Sequence, residues 1–331
     1  MAELQILCGP GPMPFIRKCL SSRGISSGAT EIIETSWRAG TRKQYTTYLQ
    51  RWRLYCSQRD IDPIFPPVAA GINFLGELFH QGIGYSALNT ARSALSSIIS
   101  LPSNTTFGTH PLVCRFIKGV FELRPSLPRY QEIWDVSIVL KYLTTLHPAK
   151  GLNLKNLTLK VTMLMALLTG QRCQTLQALS VKDMTVTAGR CVFQLTSLLK
   201  TSRPGKHLGP VVFTSFTSDE SLCVVSCLTE YIARTDKFRD KSHQLLISYQ
   251  KPYKEVTIDT ISRWLKLVLT QAGIDTTNVT GHSTRAASTS AAKRNNVPIT
   301  TIMESAGWSN ATTFNRFYNK PTNIPLYILV Q

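Results

Sequence analysis

The sequence predicts a mainly α-helical protein with a small antiparallel β-sheet, divided into a helical first domain and a larger second one. Three observations predict it. Apolar residues recur at i, i+3 and i+4 through most of the chain. The period changes to two only between about residues 184 and 213. Between them, Arg124-Pro125-Ser126-Leu127-Pro128-Arg129 breaks the helical pattern with two prolines that bar a continuous helix. The chain has 331 residues, room for about two domains of ~100–200 residues each.

Residues 1–30 are rich in Gly, Pro and Ser and show little periodicity, so they read as a flexible arm, a solvated tail more readily than one following DNA backbone through Arg17, Lys18 and Arg23. A helix is expected from about Gly40 to Asp60, because Tyr45, Tyr48, Leu49, Trp52 and Cys56 share a face. Its aromatics read as core. The cations interleaved with them, Arg42, Lys43, Arg51 and Arg53, are candidates for phosphate contacts. A second helix starts at Pro66-Pro67, proline being acceptable in a first turn. A third runs from about Ser86 to Ile99 and a fourth from Pro111 to Leu123. These make an all-α domain over 31–125. In the linker, Arg124 and Arg129 suit a segment lying on a charged backbone.

The second domain, 126–331, opens with helices over about Val136 to Leu146 and Leu154 to Leu168, the latter closed by Thr169-Gly170 as a glycine cap. A short helix to about Leu179 follows. Met184–Thr187, Cys191–Leu195 and Pro210–Phe213 read as three strands. Ala188-Gly189-Arg190 joins the first pair, and a hairpin from Lys200 to His207 joins the second. Helices resume at about Leu222 to Ala233 and Ile258 to Ala272 and fill the rest to Tyr318.

Composition narrows the function. There are 37 Lys+Arg against 19 Asp+Glu, a formal charge of +18, and that excess points to a polyanion, most simply nucleic acid. The eight cysteines form no C-x-x-C, and Gly9-Pro10-Gly11-Pro12 interrupts any signal-like apolar core. Reduced thiols in a reducing compartment are therefore expected. No apolar run reaches the ~20 residues of a membrane span. His80, His110, His147, His207 and His243 lack metal-ligand spacing. The carboxylates are few and dispersed, which disfavours a two-metal nuclease.

Metal-free attack on a phosphodiester needs a specific set of groups. Two arginines can neutralise both non-bridging oxygens, because the guanidinium fork stays charged and donates in pairs. A Lys or His can protonate the leaving oxygen. A tyrosine hydroxyl, ordinarily titrating near ~10, needs cationic neighbours to attack. The chain offers Arg172 after a helix-ending glycine, Lys200 at the hairpin tip, and His282 and Arg285 one turn apart. It adds Trp308 after Gly307, whose N–H can only donate, and Tyr318. Taken singly, these residues read more readily as caps, core histidine, tip charge or packing residues. Lys206 could also replace Lys200, and Tyr327 is another tyrosine near the end.

In this order and on this domain plan, the set resembles the tyrosine recombinases of the phage integrase family. The elements are Thr169-Gly170-Gln171-Arg172, Lys200-Thr201-Ser202, His282-x-x-Arg285, Gly307-Trp308 and Tyr318. Residues 31–125 resemble the family's SAM-like core-binding domain, and 126–331 its catalytic domain. The wording Gly-Gln-Arg-Cys-Gln-Thr and Gly-Trp-Ser-Asn, leading to Arg316-Phe317-Tyr318, is most similar to recombinases of DIRS-type eukaryotic retrotransposons. The resemblance implies that Tyr318 attacks the scissile phosphate of double-stranded DNA, giving a 3′-phosphotyrosyl bond and a free 5′-hydroxyl. It implies that Arg172 and Arg285 hold the non-bridging oxygens, Lys200 protonates the leaving oxygen, His282 assists at the tyrosine and Trp308 donates to the phosphate. It also implies no metal or nucleotide cofactor, a tetramer on two duplexes, integration of a mobile element, and a nuclear location, or a cytoplasmic one outside eukaryotes.

Two departures stand out. Many relatives carry an acid where this chain has Thr175. Many bacterial relatives also have one residue fewer between the Gly-Trp pair and the tyrosine, and Ser309-Asn310 supplies turn chemistry to absorb the extra one. The alternatives from other classes are a catalytically silent recombinase-derived DNA-binding protein and a type IB topoisomerase-like enzyme. The apolar tail Ile324 to Val330 suits docking on a neighbouring subunit or on its own domain.

Overall fold

The computed structural model describes residues 14–102, 105–125, 133–239, 242–277, 279–281 and 283–319. The chain divides into two compact units, Met1–Pro128 and Arg129–Gln331. Arg129, His282 and the tail 324–330 lie outside the described residues.

The first unit is helical. It contains α1 (Pro14–Ser22), α2 (Ser27–Thr35), α3 (Ala39–Ser57), α4 (Val68–His80), α5 (Tyr85–Ser96) and α6 (Pro111–Leu123). The first two helices correct the expected flexible arm over its described part. Ile16, Cys19 and Leu20 fall at i, i+3 and i+4 and are buried in the same core as Trp52 and Leu75. Arg17 grips Glu34 at 2.7 Å, tying α1 to α2. Arg23 donates to the Ile98 carbonyl at 3.0 Å. Three apolar positions in a nine-residue helix are too few to stand out among flanking Gly, Ser and Pro. In α3, Trp52 is fully buried, and its indole N–H donates to the Pro63 carbonyl at 3.0 Å. Tyr45 and Tyr48 pack against the same core.

The second unit is built around α8 (Leu154–Thr169), which follows α7 (Val136–Thr145). Helix α8 is buried on nearly every face, from Leu157 to Thr169 with only Leu168 exposed, as a central helix requires. Asn153 caps its start by accepting from the Asn156 N–H at 2.8 Å. Helices α10 (Val224–Thr235), α11 (Ile258–Gln271) and α12 (Ser283–Arg294) pack around it. The sheet is antiparallel in the order β1 (Met184–Thr187), β2 (Arg190–Phe193), β3 (Val211–Thr214). Thr187 pairs with Arg190 across a two-residue turn, and Cys191 with Phe213. Cys191, Phe193, Val211 and Phe213 are buried toward the core, where the two phenyl rings meet edge-on at 6.0 Å. This is the mainly α architecture with a small antiparallel sheet that the periodicities predict.

The seven described cysteines are free thiols. Among the described residues no helix is long and apolar enough to cross a membrane. Nor does any group of three or more His, Cys, Asp or Glu stand close enough to hold a metal ion among them.

Candidate active site

The site forms where three helix ends meet. Helix α8 ends at Gly170, whose φ of 56° lies in the left-handed region. A Cβ there would meet the Thr289 methyl at 2.8 Å, so glycine serves both the turn and the approach of α12. Arg172 follows as the residue that opens α9 (Cys173–Gln177). Helix α13 (Ile299–Ala306) ends the same way at Gly307, φ 67°, where a Cβ would meet Leu208 at 2.9 Å. Trp308 comes next.

Arg285, on α12, joins these ends. It is 2% exposed. Its Nη1 donates to the Gly170 carbonyl and its Nη2 to the Ala306 carbonyl, each at 2.8 Å. These carbonyls terminate α8 and α13, where the helix dipole favours a cation. The guanidinium lies 4.3 Å from the Trp308 ring centre and 5.3 Å from that of Tyr318. Burial pushes the Arg285 pKa down to about 10, the like charge of Arg172 adds to this, and Tyr318 opposes it. The positive charge of Arg172 acts on Arg285, so an anion bound at Arg285 would be favoured. A guanidinium has five N–H donors, and the carbonyls engage two. Arg285 Nε and the Trp308 indole nitrogen are both buried without a hydrogen-bonding partner.

Tyr318 follows α14 (Ala311–Phe317), whose start Asn310 caps by accepting from the Thr312 N–H at 2.8 Å. Gly307, Ser309 and Asn310 thus make the turn between α13 and α14. The Tyr318 ring lies 4.6 Å from Trp308, and its backbone carbonyl accepts from the Ser290 hydroxyl of α12.

The other expected residues are placed as follows. Lys200 is exposed on the loop between β2 and β3, and its backbone N–H donates to Gln174 Oε1 at 3.1 Å. That bond ties the lysine loop to α9, two residues beyond Arg172. Lys206 is exposed and pairs with Arg203 in an antiparallel bridge at the same tip. His282 lies outside the described residues, and the hydroxyl of its neighbour Ser283 accepts from the Trp134 indole at 3.0 Å. Thr175 is buried and donates to Gln171 Oε1 at 3.1 Å.

In the first unit, Lys43 is exposed on α3, while Arg42, Arg51 and Arg53 are half-buried there. Arg51 donates to the Gln81 amide oxygen. Arg124 is engaged inside the unit. It donates to the Phe79 and Ile83 carbonyls at 3.3 and 3.1 Å and stacks on the Phe79 ring at 4.3 Å. It therefore differs from the backbone-facing linker cation the sequence suggests, because the carbonyls at and just past the end of α4 accept from it.

The residues that sequence reasoning missed are Gln171, Gln174, Ser290 and Ser305. Only the two amides flanking Arg172 left a visible trace, in the Gly-Gln-Arg-Cys-Gln-Thr wording.

The phage integrase family model matches residues 140–323, more than half of the chain. No curated protein sequence matches it. Among solved structures, XerH site-specific recombinase bound to its palindromic difH substrate, a post-cleavage complex, superposes with a TM-score of 0.59 at 15% identity, over 91% of this chain and 83% of that one. The Tn1549 transposon integrase, in complex with circular intermediate DNA, gives 0.55 at 12% identity over 96% and 97%. A lambda integrase dimer bound to a COC′ core site gives 0.52 at 13% identity over 93% and 94%. These likenesses extend the shared fold over both units, and the matched segment holds Arg172, Lys200, Arg285, Trp308 and Tyr318: the chain belongs to the phage integrase family.

Proposed function

We propose that the chain is an active tyrosine recombinase that cuts and rejoins double-stranded DNA. One observation carries this reading. Arg285 is buried beside Trp308 and Tyr318 with donors left over, and the positive charge of Arg172 acts on it. Such a group suits a phosphodiester, whose two non-bridging oxygens take the charge and the donors.

In the reaction the Tyr318 oxygen attacks phosphorus. The new bond is a 3′-phosphotyrosine, and the bond to the 5′ oxygen breaks. Lys200 gives that oxygen a proton, and His282 takes the tyrosine proton. Arg172 and Arg285 hold the non-bridging oxygens as charge develops, and the Trp308 N–H donates to one of them. A 5′-hydroxyl from another strand reverses the step, so each phosphodiester lost is regained and no metal or nucleotide enters the balance.

The reading extends to assembly as a tetramer on two duplexes, to integration of a DIRS-type mobile element, and to work in the nucleus. The charge of +18 favours the DNA partner, with Arg42, Lys43, Arg51, Arg53 and Lys206 as backbone contacts. Relatives of this fold are described with DNA, including a lambda integrase tetramer bound to a Holliday junction. The test is strand joining. Two labelled duplexes tiled across the DNA that flanks the coding sequence are incubated with the protein. Joined strands between duplexes support the reading, while relaxation of a supercoil without joining, or no reaction, opposes it.

A further inference from the structure

The segment bearing Arg172 is flanked by two amides that neither capping nor core packing explains. Gln171 is 7% exposed. Its Oε1 accepts from the Thr175 hydroxyl at 3.1 Å, and its Nε2 donates to the Ser305 carbonyl. Ser305 precedes Ala306, whose carbonyl holds Arg285, and stands three residues before Trp308. The Ser305 hydroxyl returns a bond to the Thr169 carbonyl at 3.0 Å, so the two helix ends are laced in both directions. On the other side of Arg172, Gln174 Oε1 accepts from the Lys200 N–H at 3.1 Å. The Lys200 loop is closed on itself by Ser202, whose hydroxyl accepts from the Leu199 N–H at 3.0 Å.

We propose that Gln171 and Gln174 are positioning residues for the cleavage reaction. Gln171, relayed from Thr175, fixes the Ser305–Trp308 turn against Arg172. Gln174 fixes the loop that carries Lys200. The proposal rests on the recombinase reading above and adds to it how Thr175 takes part in holding the site.

The chemistry of the neighbours selects an amide. Gln171 faces a hydroxyl donor at one end and a carbonyl acceptor at the other. An amide accepts at one end and donates at the other, whereas a carboxylate would confront the Ser305 carbonyl with a second acceptor. A carboxylate would also set a negative charge beside Arg172 and Arg285 and draw on the positive field meant for the phosphate. The neutral relay leaves both cations to the substrate. It also has no protonation state of its own to lose across the working pH range.

The experiment uses the full chain and nicked duplexes tiled across the DNA flanking the coding sequence. It follows the single-turnover rate of covalent adduct formation and the DNA affinity separately. Gln171→Glu is expected to lower the rate about tenfold or more, with affinity within about twofold, since small misplacements of reacting groups are costly. The rate should recover as pH falls, because a protonated carboxyl can again donate to Ser305. Thr175→Val, which keeps the shape and loses the hydroxyl, should slow cleavage, and Thr175→Ser should restore it. Gln174→Leu should slow cleavage of the normal substrate but not of one with sulfur in place of the bridging 5′ oxygen, a leaving group that needs no proton.

Variants that cleave like the unaltered chain would overturn the proposal. So would variants that lose DNA affinity and melting temperature in step with cleavage, and a Gln174→Leu chain slowed equally on both substrates. If the unaltered chain forms no adduct on any duplex, the recombinase reading itself fails and the proposal goes with it. If it forms one and the variants are silent, only the proposal fails.

Discussion

The Arg285 guanidinium stands 4.3 Å from the centre of the Trp308 ring while its two Nη atoms hold the carbonyls of Gly170 and Ala306. The contact is a cation–π pair in a buried setting, and it orients both partners. The ring face stabilises the cation, and the carbonyls set its plane. The donors that remain, Arg285 Nε and the Trp308 indole N–H, are thereby fixed in place before any substrate arrives. Preorganised donors of this kind need no rearrangement when charge develops.

Trp308→Phe separates the two roles of the indole. The phenyl ring keeps most of the packing on Arg285, Phe314 and Tyr318 and removes only the donor. Adduct formation is expected to slow by about 10²-fold, with melting temperature and DNA affinity little changed. Single-turnover cleavage beside a thermal melt checks it. A variant that cleaves at the original rate would remove Trp308 from the phosphate site.

An anion should stabilise the fold through the Arg285 and Arg172 pair. Inorganic sulfate at ten times its Kd would add about 1.4 kcal/mol by mass action. The pH dependence follows from Arg285, whose pKa is pushed down to about 10 by burial. Its folded pKa is below its unfolded one, so the cost of the buried charge is fully present below about 10 and is relieved as pH rises through that value. The sulfate increment should therefore hold steady from about pH 7 to 9, where both guanidinium groups stay charged. Melting curves with and without sulfate check this, and Arg172→Ala should reduce the increment.

Gly307→Ala should destabilise the second unit by about 1–3 kcal/mol, because the position has φ 67° and a Cβ would meet Leu208 at 2.9 Å. Denaturant unfolding of the full chain measures it. Cleavage should fall as well, since the same turn delivers Trp308.

Ile16→Ala tests the added helix α1. A residue in a flexible arm would tolerate the change. Ile16 is 1% exposed in the core shared with Trp52, so the substitution should cost about 2–5 kcal/mol. An unchanged unfolding curve would return residues 14–22 to the status of an arm.

Much of the second unit was legible because its signals are local. The period of two around Val192 and Val212, the glycine after Thr169 and the proline-rich break after Arg124 each follow from one chemical property. The types of Arg172, Lys200, Arg285 and Tyr318 were legible because the chemistry of a phosphodiester calls for them, and their order with Trp308 because it resembles that of the phage integrase family. Helix α1 was obscured because Ile16, Cys19 and Leu20 make a short stripe among turn-forming residues. The fate of Arg124 was hidden because its partners, the Phe79 and Ile83 carbonyls, lie more than 40 positions away in sequence. The Gln171 relay was hidden for the same reason, its acceptor being Ser305. Long-range polar bonds leave no periodicity to read.

In the proposed reaction Tyr318 becomes covalently joined to DNA at the Arg285 site. The most direct measurement is a denaturing gel of the full chain with nicked duplexes tiled across the flanking DNA, followed by mass spectrometry of the digested adduct. A slow-migrating species is expected, whose phosphodiester remnant maps to Tyr318 and which is absent from Tyr318→Phe. An adduct that survives in Tyr318→Phe, or one that maps to another residue such as Tyr327, would contradict it.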